Sequence, residues 1–371
     1  MAAAVRDVVR IMEDIAPPEL ALPDDRIGLQ VGDLEAHVKS VLVALDASDA
    51  VIARALSSGA SVVLVHHPLI HEPVDRIVRD DPVGRRLLDA AGAGIAVYVA
   101  HTNLDRAPRG VNTVLAETIG LRNAEPLQVE EGCPQYKLVV FVPKGYADAV
   151  RNAACSAGAG VIGDYTFCTF QTEGVGTFVP AQSAQPFSGK VGNLNRAEEL
   201  RLEMVVSAPF VPQVVEAIGR AHPYEEVAYD LLVTGQRDSR FSLGRIGELE
   251  EKVTLEEFAA FVKKVLKLAA VRVVGNKRKK LRRVATIAGG GARYLSAAAG
   301  AGADVLVTGD VGYHHAREAA ARGLCLIDAG HAGTEGVILE PLASLLRAEL
   351  EKLDQTITVE TVHEPGVFAV L

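Results

Sequence analysis

The chain has 371 residues, too many for one ordinary core at roughly 100–200 residues per domain, so two or three domains are expected. With 38 Lys+Arg against 47 Asp+Glu, a net charge of −9, 23% charged and 49% hydrophobic residues, it reads as a soluble globular protein and not as a disordered or collagen-like one. The acidic balance disfavours a general polyanion-binding surface, and uncharged apolar runs such as Ala90 to Ala100 fall short of the ~20 residues that span a bilayer.

In chain order, Val5, Val8, Val9, Met12 and Ile15 recur at helical spacing between charged residues. They predict an amphipathic helix ended near Pro17-Pro18, not a secretory signal. From Val38 onward β-branched runs alternate with helical patterns: VKSVLVAL, a helix Asp49 to Ser58, SVVLV, a helix near Val83–Ala91, and IAVYVA. The same grammar returns late, with RRVATIA, a helix after Ala292, ADVLVTG, a helix Gly312–Ala321, LCLIDAG, a long helix from Gly333 to about Leu353, and a last strand ITVETV. Repeated βα units predict mainly parallel sheet covered by helices, so residues 1–125 and 236–371 are expected to form halves of one layered α/β architecture.

Between them the pattern changes. A strand YKLVVFV, a helix Tyr146 to Ala157, strands around YTFCTFQ and GTFV, a polar loop, a strand LRLEMVV, a helix after Pro212 and a strand EVAYDLLV follow one another. This order predicts a β-α-β-β-α-β ferredoxin-like α+β domain over residues 126–235, inserted into the first. The cysteines Cys133, Cys155, Cys168 and Cys325 form no C-x-x-C pair, which predicts neither a thiolate zinc site nor a disulfide framework and fits a reducing cytoplasm.

Histidine placement carries the chemistry. His66 and His67 end SVVLV, His101 ends IAVYVA, His314 and His315 follow ADVLVTG, and His331 follows LCLIDAG. In open parallel sheets the ligand crevice lies outside the carboxyl ends of the strands, so residues scattered in sequence can converge there. Asp105 follows His101 by four residues and Glu335 follows His331 by four. A single histidine at a strand end is more often a hydrogen-bonded rim residue, but this number of strand ends with two carboxylates favours an imidazole/carboxylate site for zinc, iron or manganese. Extended chain and Pro68 direct His66 and His67 apart, which suits two ions better than one. Glu335 in a first helical turn is placed to bridge them.

The segments LVHHPLI, AHTNLD, TGDVGYHH and DAGHAGTE, in this order, resemble the signature of the dinuclear-metal family called GTP cyclohydrolase 1 type 2 homologues, or NIF-three-like proteins. The insertion ending HPYEEVAYDLL resembles the PII/CutA-like domain of its longer members. The resemblance implies two divalent ions per chain, zinc or iron with manganese as a further option. It assigns His66 and His67 one to each ion, Asp105 to one, His331 to the other and Glu335 to both. His101, His314, His315 and Asp46 become rim or supporting candidates. The same resemblance implies a homohexamer built as a trimer of dimers. One departure is DDRIGLQVG, which stands where many relatives carry W-D-N-x-G-L-x-V-G.

Weaker signals complete the reading. Gly289, Gly290 and Gly291, between a strand and a helix, form either an anion nest for a phosphate or a tight turn. The run NKRKKLRR, Asn276 to Arg283, is either a polyanion contact or a solvated hairpin between VRVV and RVATIA. Asp46 and Asp310 sit at strand ends as proton-transfer groups or helix caps. The expected activity is metal-dependent hydrolysis of a small, nucleotide-like or cyclic amidine substrate. The alternative is a non-catalytic metal-binding scaffold or sensor that uses the inserted domain.

Overall fold

Each β-branched run named above becomes a strand, but the strands pair in ways that local pattern does not specify. The computed structural model describes residues 3–127, 133–353, 357–364 and 367–368. In chain order the strands are β1 (Gly28–Val31), β2 (Ser40–Ala44), β3 (Val62–Val65), β4 (Ala96–Val99), β5 (Arg122–Leu127), β6 (Cys133–Pro143), β7 (Thr169–Phe178), β8 (Asn195–Ser207) and β9 (Tyr229–Asp238). They continue with β10 (Gly244–Thr254), β11 (Arg272–Val274), β12 (Lys280–Thr286), β13 (Val305–Thr308), β14 (Cys325–Asp328) and β15 (Thr358–Thr361).

Contacts divide the chain into two units, one of Met1–Glu131 with Arg240–Leu371 and one of Gly132–Ser239. The first unit holds two sheets where one architecture with two halves was expected. Its first sheet runs β1-β4-β3-β2-β15, with β4, β3, β2 and β15 parallel and β1 antiparallel to β4. Its second runs β11-β14-β13-β12-β10-β5, with only β12, β13 and β14 mutually parallel. The last strand of the chain therefore completes the first sheet, Thr358 pairing with Ser40. Strands β3, β4, β13 and β14 are buried along their whole length, which is why they read as continuous apolar runs without alternation.

Local signals explain the element ends. Ser48 caps the helix Asp49–Ser58 by accepting from the Val51 amide, and Gly59 closes it in the left-handed region at φ 67°. Thr254 and Glu257 form a reciprocal capping box that starts the helix Leu255–Val265. The long helix expected from Gly333 is interrupted. It becomes His331–Glu335, a 3-10 turn Gly336–Ile338 and a helix Leu339–Glu351. Gly333, Thr334 and Gly336 are weak helix formers, and the Thr334 hydroxyl bonds back to backbone carbonyls.

The second unit has the element order β-α-β-β-α-β, its antiparallel sheet running β7-β8-β6-β9. Leu138, Val140 and Val142 alternate along β6 and pack with Leu202, Met204 and Val206 of β8 against Val150 and Ala154 of one helix and Val214 and Ile218 of the other. The TFQ end of YTFCTFQ and the GTF of GTFV belong to one strand, β7, paired with β8 from Thr169 to Phe178, while Tyr165 forms an isolated bridge with Ile162 before it. The expected boundaries at 126 and 235 cut through strands. Pro126 and Leu127 pair with Arg245 and Gly244 in the first unit, and β9 continues to Asp238.

The basic run is not a hairpin. β11 pairs with β14, while β12 pairs with β10 and β13. Four of its six charges face acids, Lys277–Glu256 at 3.5 Å, Lys280–Glu257 at 3.9 Å, Arg282–Glu248 at 2.9 Å and Arg283–Glu125 at 3.1 Å, and Lys279 donates to the Gly323 carbonyl at 2.8 Å. Among the described residues no helix is long and apolar enough to cross a membrane.

Candidate metal centre

The carboxyl ends of β3 and β4 in one sheet and of β14 in the other supply one cluster of imidazoles and carboxylates, as expected for a crevice at strand ends. Both His66 and His67 donate their amides to Leu45 O, at 3.1 and 2.8 Å, which fixes the backbone just past β3. Past β4, His101 precedes a short helix Thr102–Arg106 that carries Asp105. Past β14, Gly330 at φ 77° turns the chain into the one-turn helix His331–Glu335, which puts its two end side chains on one face.

Glu335 stands at the middle. Its Oε1 lies 3.0 Å from His331 Nε2 and 3.8 Å from His66 Nε2, and its Oε2 lies 3.0 Å from His67 Nε2. His66 Nε2 is also 3.6 Å from Asp105 Oδ1. The two adjacent histidines thus meet different oxygens of one carboxylate. Ring nitrogens of His66, His67 and His101 lie within 4.8 Å of one another, as do ligand atoms of His67, His331 and Glu335.

Each ring is oriented from behind by an acceptor at Nδ1. His66 faces Ala100 O at 2.8 Å, His67 faces Asp46 at 3.0 Å, His101 faces Asp25 at 2.8 Å and His331 faces Asp310 at 2.6 Å. Carbonyl and carboxylate oxygens only accept, so Nδ1 carries a proton and Nε2 is the nitrogen left to face the cluster. With the rings neutral, Nε2 lone pairs confront carboxylate oxygens. His66 Nε2, His67 Nε2, Asp105 Oδ1 and Glu335 Oε2 are buried with no hydrogen-bond partner among the described residues. Facing acceptors of this kind are costly unless a cation sits between them.

A proton is the other cation that fits. Burial opposes charge on His67, but Asp46 and Glu335 raise it to about 10, and Glu335 with Asp310 raises His331 to about 9 against its burial. Burial also opposes charge on His66, which Asp105 and Glu335 nevertheless raise. Burial would protonate Glu335, yet the imidazoles of His331, His66 and His67 hold its carboxyl well below the usual range. Burial dominates at Asp105 and pushes it up to about 6. Nitrogen and oxygen donors of this kind, without thiolate, suit divalent zinc, iron or manganese.

Most of the residues singled out from the sequence meet here. His66, His67, Asp105, His331 and Glu335 come together, with His101 beside them at ring-centroid distances of 5.2 and 5.8 Å from His66 and His67. Asp46 and Asp310 hold imidazoles and cap no helix. His314 and His315 do not join the cluster. They open the helix Tyr313–Ala321, where His314 is exposed and packs edge-on against Tyr313.

The glycine turn is not an open anion nest either. The Gly289 amide donates to Thr334 Oγ1 and the Gly291 amide to Thr308 Oγ1, so two of its donors are committed. Gly289 is needed for clearance: at φ 62°, a Cβ there would stand 2.3 Å from Glu335 Oε1. Sequence reasoning missed Asp25. This carboxylate accepts from His101 Nδ1, the Thr102 amide and the Thr102 hydroxyl. Burial works against its charge, but those donors lower it to about 2. Its signal was its place in DDRIGLQVG, just before β1.

With this geometry in view, the sequence profile of the Duf34/NIF3 (NGG1p interacting factor 3) proteins matches residues 3–365. The chain belongs to the Duf34/NIF3 family. A GTP cyclohydrolase 1 type 2 homolog of Halalkalibacterium halodurans is 41% identical over 366 residues, which cover 97% of this chain and 98% of that one. A protein of the same name from Bacillus subtilis is 42% identical over 326 residues, covering 88% and 87%. Among solved structures of Duf34/NIF3 relatives, the Bacillus cereus protein related to NIF3 superposes with a TM-score of 0.85 at 39% identity, covering both chains completely.

Proposed function

We propose that this Duf34/NIF3 protein is a metal-dependent hydrolase with a dinuclear centre. His66 and Asp105 would hold one divalent ion, His67 and His331 the other, and Glu335 would contact both. The observation that carries the reading is the group of four buried atoms with no hydrogen-bond partner among the described residues, His66 Nε2, His67 Nε2, Asp105 Oδ1 and Glu335 Oε2. Their chemistry calls for a cation between nitrogen and oxygen, a proton in the metal-free chain or a divalent ion in the loaded one. When bound, two such ions provide a nucleophilic water at neutral pH and a Lewis acid for the electrophile. The chain's own contribution is orientation. Asp46, Asp310 and the Ala100 carbonyl keep the Nε2 atoms pointed inward, and His101, steadied by Asp25, stands beside them.

The substrate class we favour is a small, nucleotide-like or cyclic amidine molecule, in line with the name of the relatives. Zinc or iron is the favoured metal and manganese the next. From the resemblance we also propose a homohexamer, kinship of the second unit with PII/CutA-like modules, and a reducing cytoplasm. Nucleic acid is disfavoured because Lys277, Lys280, Arg282 and Arg283 are engaged by glutamates.

A second reading is a metal-binding scaffold or sensor, favoured by the second unit having a core of its own. The deciding experiment measures metal per chain on protein purified without added metal, beside Glu335→Ala, and then screens hydrolysis of nucleotides and cyclic amidines on the same samples. About two ions per chain, reduced in the variant, with turnover supports the hydrolase. Loaded protein without turnover supports the sensor. Protein that takes up no metal even on reconstitution overturns both.

A further inference from the structure

The clustered groups are contributed by two different sheets, and a run of buried and part-buried hydrogen bonds, joined by the Ala288–Gly289 peptide bond, ties the two contributions together. Asn112, on the helix Val111–Thr118, is only 1% exposed. Its Nδ2 donates to the Asp105 carbonyl at 3.2 Å, and its Oδ1 accepts from the Ala288 amide at 2.8 Å. The next amide, Gly289, donates to Thr334 Oγ1 at 2.9 Å, and that hydroxyl lies 2.9 Å from His331 O and 3.0 Å from Gly330 O. Asp105 on one side and the His331–Glu335 turn on the other are thus linked through Asn112, Ala288, Gly289 and Thr334. Gly289 also forms the floor under the central carboxylate, since a Cβ there would meet Glu335 Oε1 at 2.3 Å and His331 Nε2 at 3.2 Å.

We infer that this Asn112–Gly289 strap sets the gap between Asp105 and Glu335, and with it the spacing of the paired cations. Asn112 and Gly289 are positioning residues, which act through Asp105 and Glu335 and touch no ion themselves. The inference rests on the dinuclear reading given above. A buried asparagine that merely satisfied two backbone groups would support the fold alone. A strap with this connectivity makes a separate demand. Loosening it must change how two ions sit relative to each other, in a protein that is still folded and still holds its histidines.

The test uses the full chain, stripped with chelator and titrated with Mn(II) under electron paramagnetic resonance, with circular dichroism as the check on folding. Wild type is expected to bind two ions with an exchange-coupled signal. Asn112→Ala is expected to bind the first ion within a few-fold of wild type and the second roughly tenfold to a hundredfold more weakly, with the coupled signal replaced by that of isolated ions. Gly289→Ala disturbs the same strap from the Glu335 side and is expected to give the same spectral change. If Asn112→Ala does not fold, the Gly289→Ala spectrum decides. Coupling and affinities unchanged in a folded variant, beside a coupled wild type, overturn the strap and leave the dinuclear reading standing. A wild type that binds no coupled pair overturns the dinuclear reading and the strap with it.

Discussion

Asp25 Oδ1 lies 2.8 Å from His101 Nδ1, joining the segment before β1 to the end of β4 across 76 residues of chain. The same carboxylate receives the Thr102 amide at 3.0 Å, so one acid fixes both a ring and the start of the helix that carries Asp105. Asp25→Ala leaves these donors without an acceptor and is expected to lower stability by about 1–3 kcal/mol at pH 7. The sign with pH follows from the depressed value of about 2. The stabilisation is fully present above the unfolded value of ~3.9 and is lost as pH falls through about 2. Urea unfolding at pH 7 and pH 3 should show the wild-type advantage shrinking in acid.

Metal uptake should release protons. In metal-free protein the carboxylates hold His67 at about 10 and His331 at about 9, so both are charged at pH 7.5, and an incoming cation must displace those protons. Calorimetric titrations in buffers of different ionisation enthalpy are expected to report on the order of two protons released per chain. A buffer-independent heat would contradict protonated histidines. For the metal-free protein, a raised histidine value stabilises the fold fully below ~6.5 and loses that contribution as pH rises through about 9 to about 10. Chelator-treated protein should therefore be less stable at pH 10.5 than at pH 7 by denaturant unfolding.

The outer carboxylates are expected to tune affinity without supporting the fold. Asp46 and Asp310 are 55% and 54% exposed as side chains, yet each holds a ring nitrogen. Asp46→Asn and Asp310→Asn should each weaken zinc binding by roughly tenfold to a hundredfold, read by competition with a chromogenic chelator, while the thermal midpoint of the chelator-treated protein stays near wild type. Equal affinities in wild type and both variants would remove these residues from the site.

The second unit should respond on its own. Leu202 is fully buried among Leu138, Val140 and Val214, so Leu202→Ala is expected to cost about 2–5 kcal/mol. Calorimetry should show one transition lowered and another unmoved, with metal content per chain unchanged. Loss of metal in this variant would show that the two units do not hold their structures separately.

Much of this protein was readable locally. The helix Asp49–Ser58 is bounded by Ser48 and Gly59, whose capping chemistry is set by neighbouring residues, and its ends match the periodicity. The histidines and carboxylates that converge were named from their positions after apolar runs, because a buried parallel strand has a plain sequence signature and its carboxyl end follows directly. Strand β10 escaped notice, since GRIGELEEKVT mixes charge with apolar residues in no clean alternation, although the Thr254–Glu257 capping box marked where it ends.

Sequence by itself determined the alternation of strands and helices, the nitrogen and oxygen donor set, and the four-residue spacing that puts His331 and Glu335 on one face of a helical turn. The tertiary structure decided the rest: that Thr358 joins Ser40 in the first sheet, that Asp25 backs His101, and that Gly289 is the floor under Glu335 with its amide given to Thr334. The physical reason is range. Propensity, capping and periodicity act between residues a few positions apart and are written in consecutive letters, whereas the partner of a ring nitrogen, the clearance above a glycine or the neighbour of a strand depends on which segments, tens to hundreds of residues apart, pack side by side.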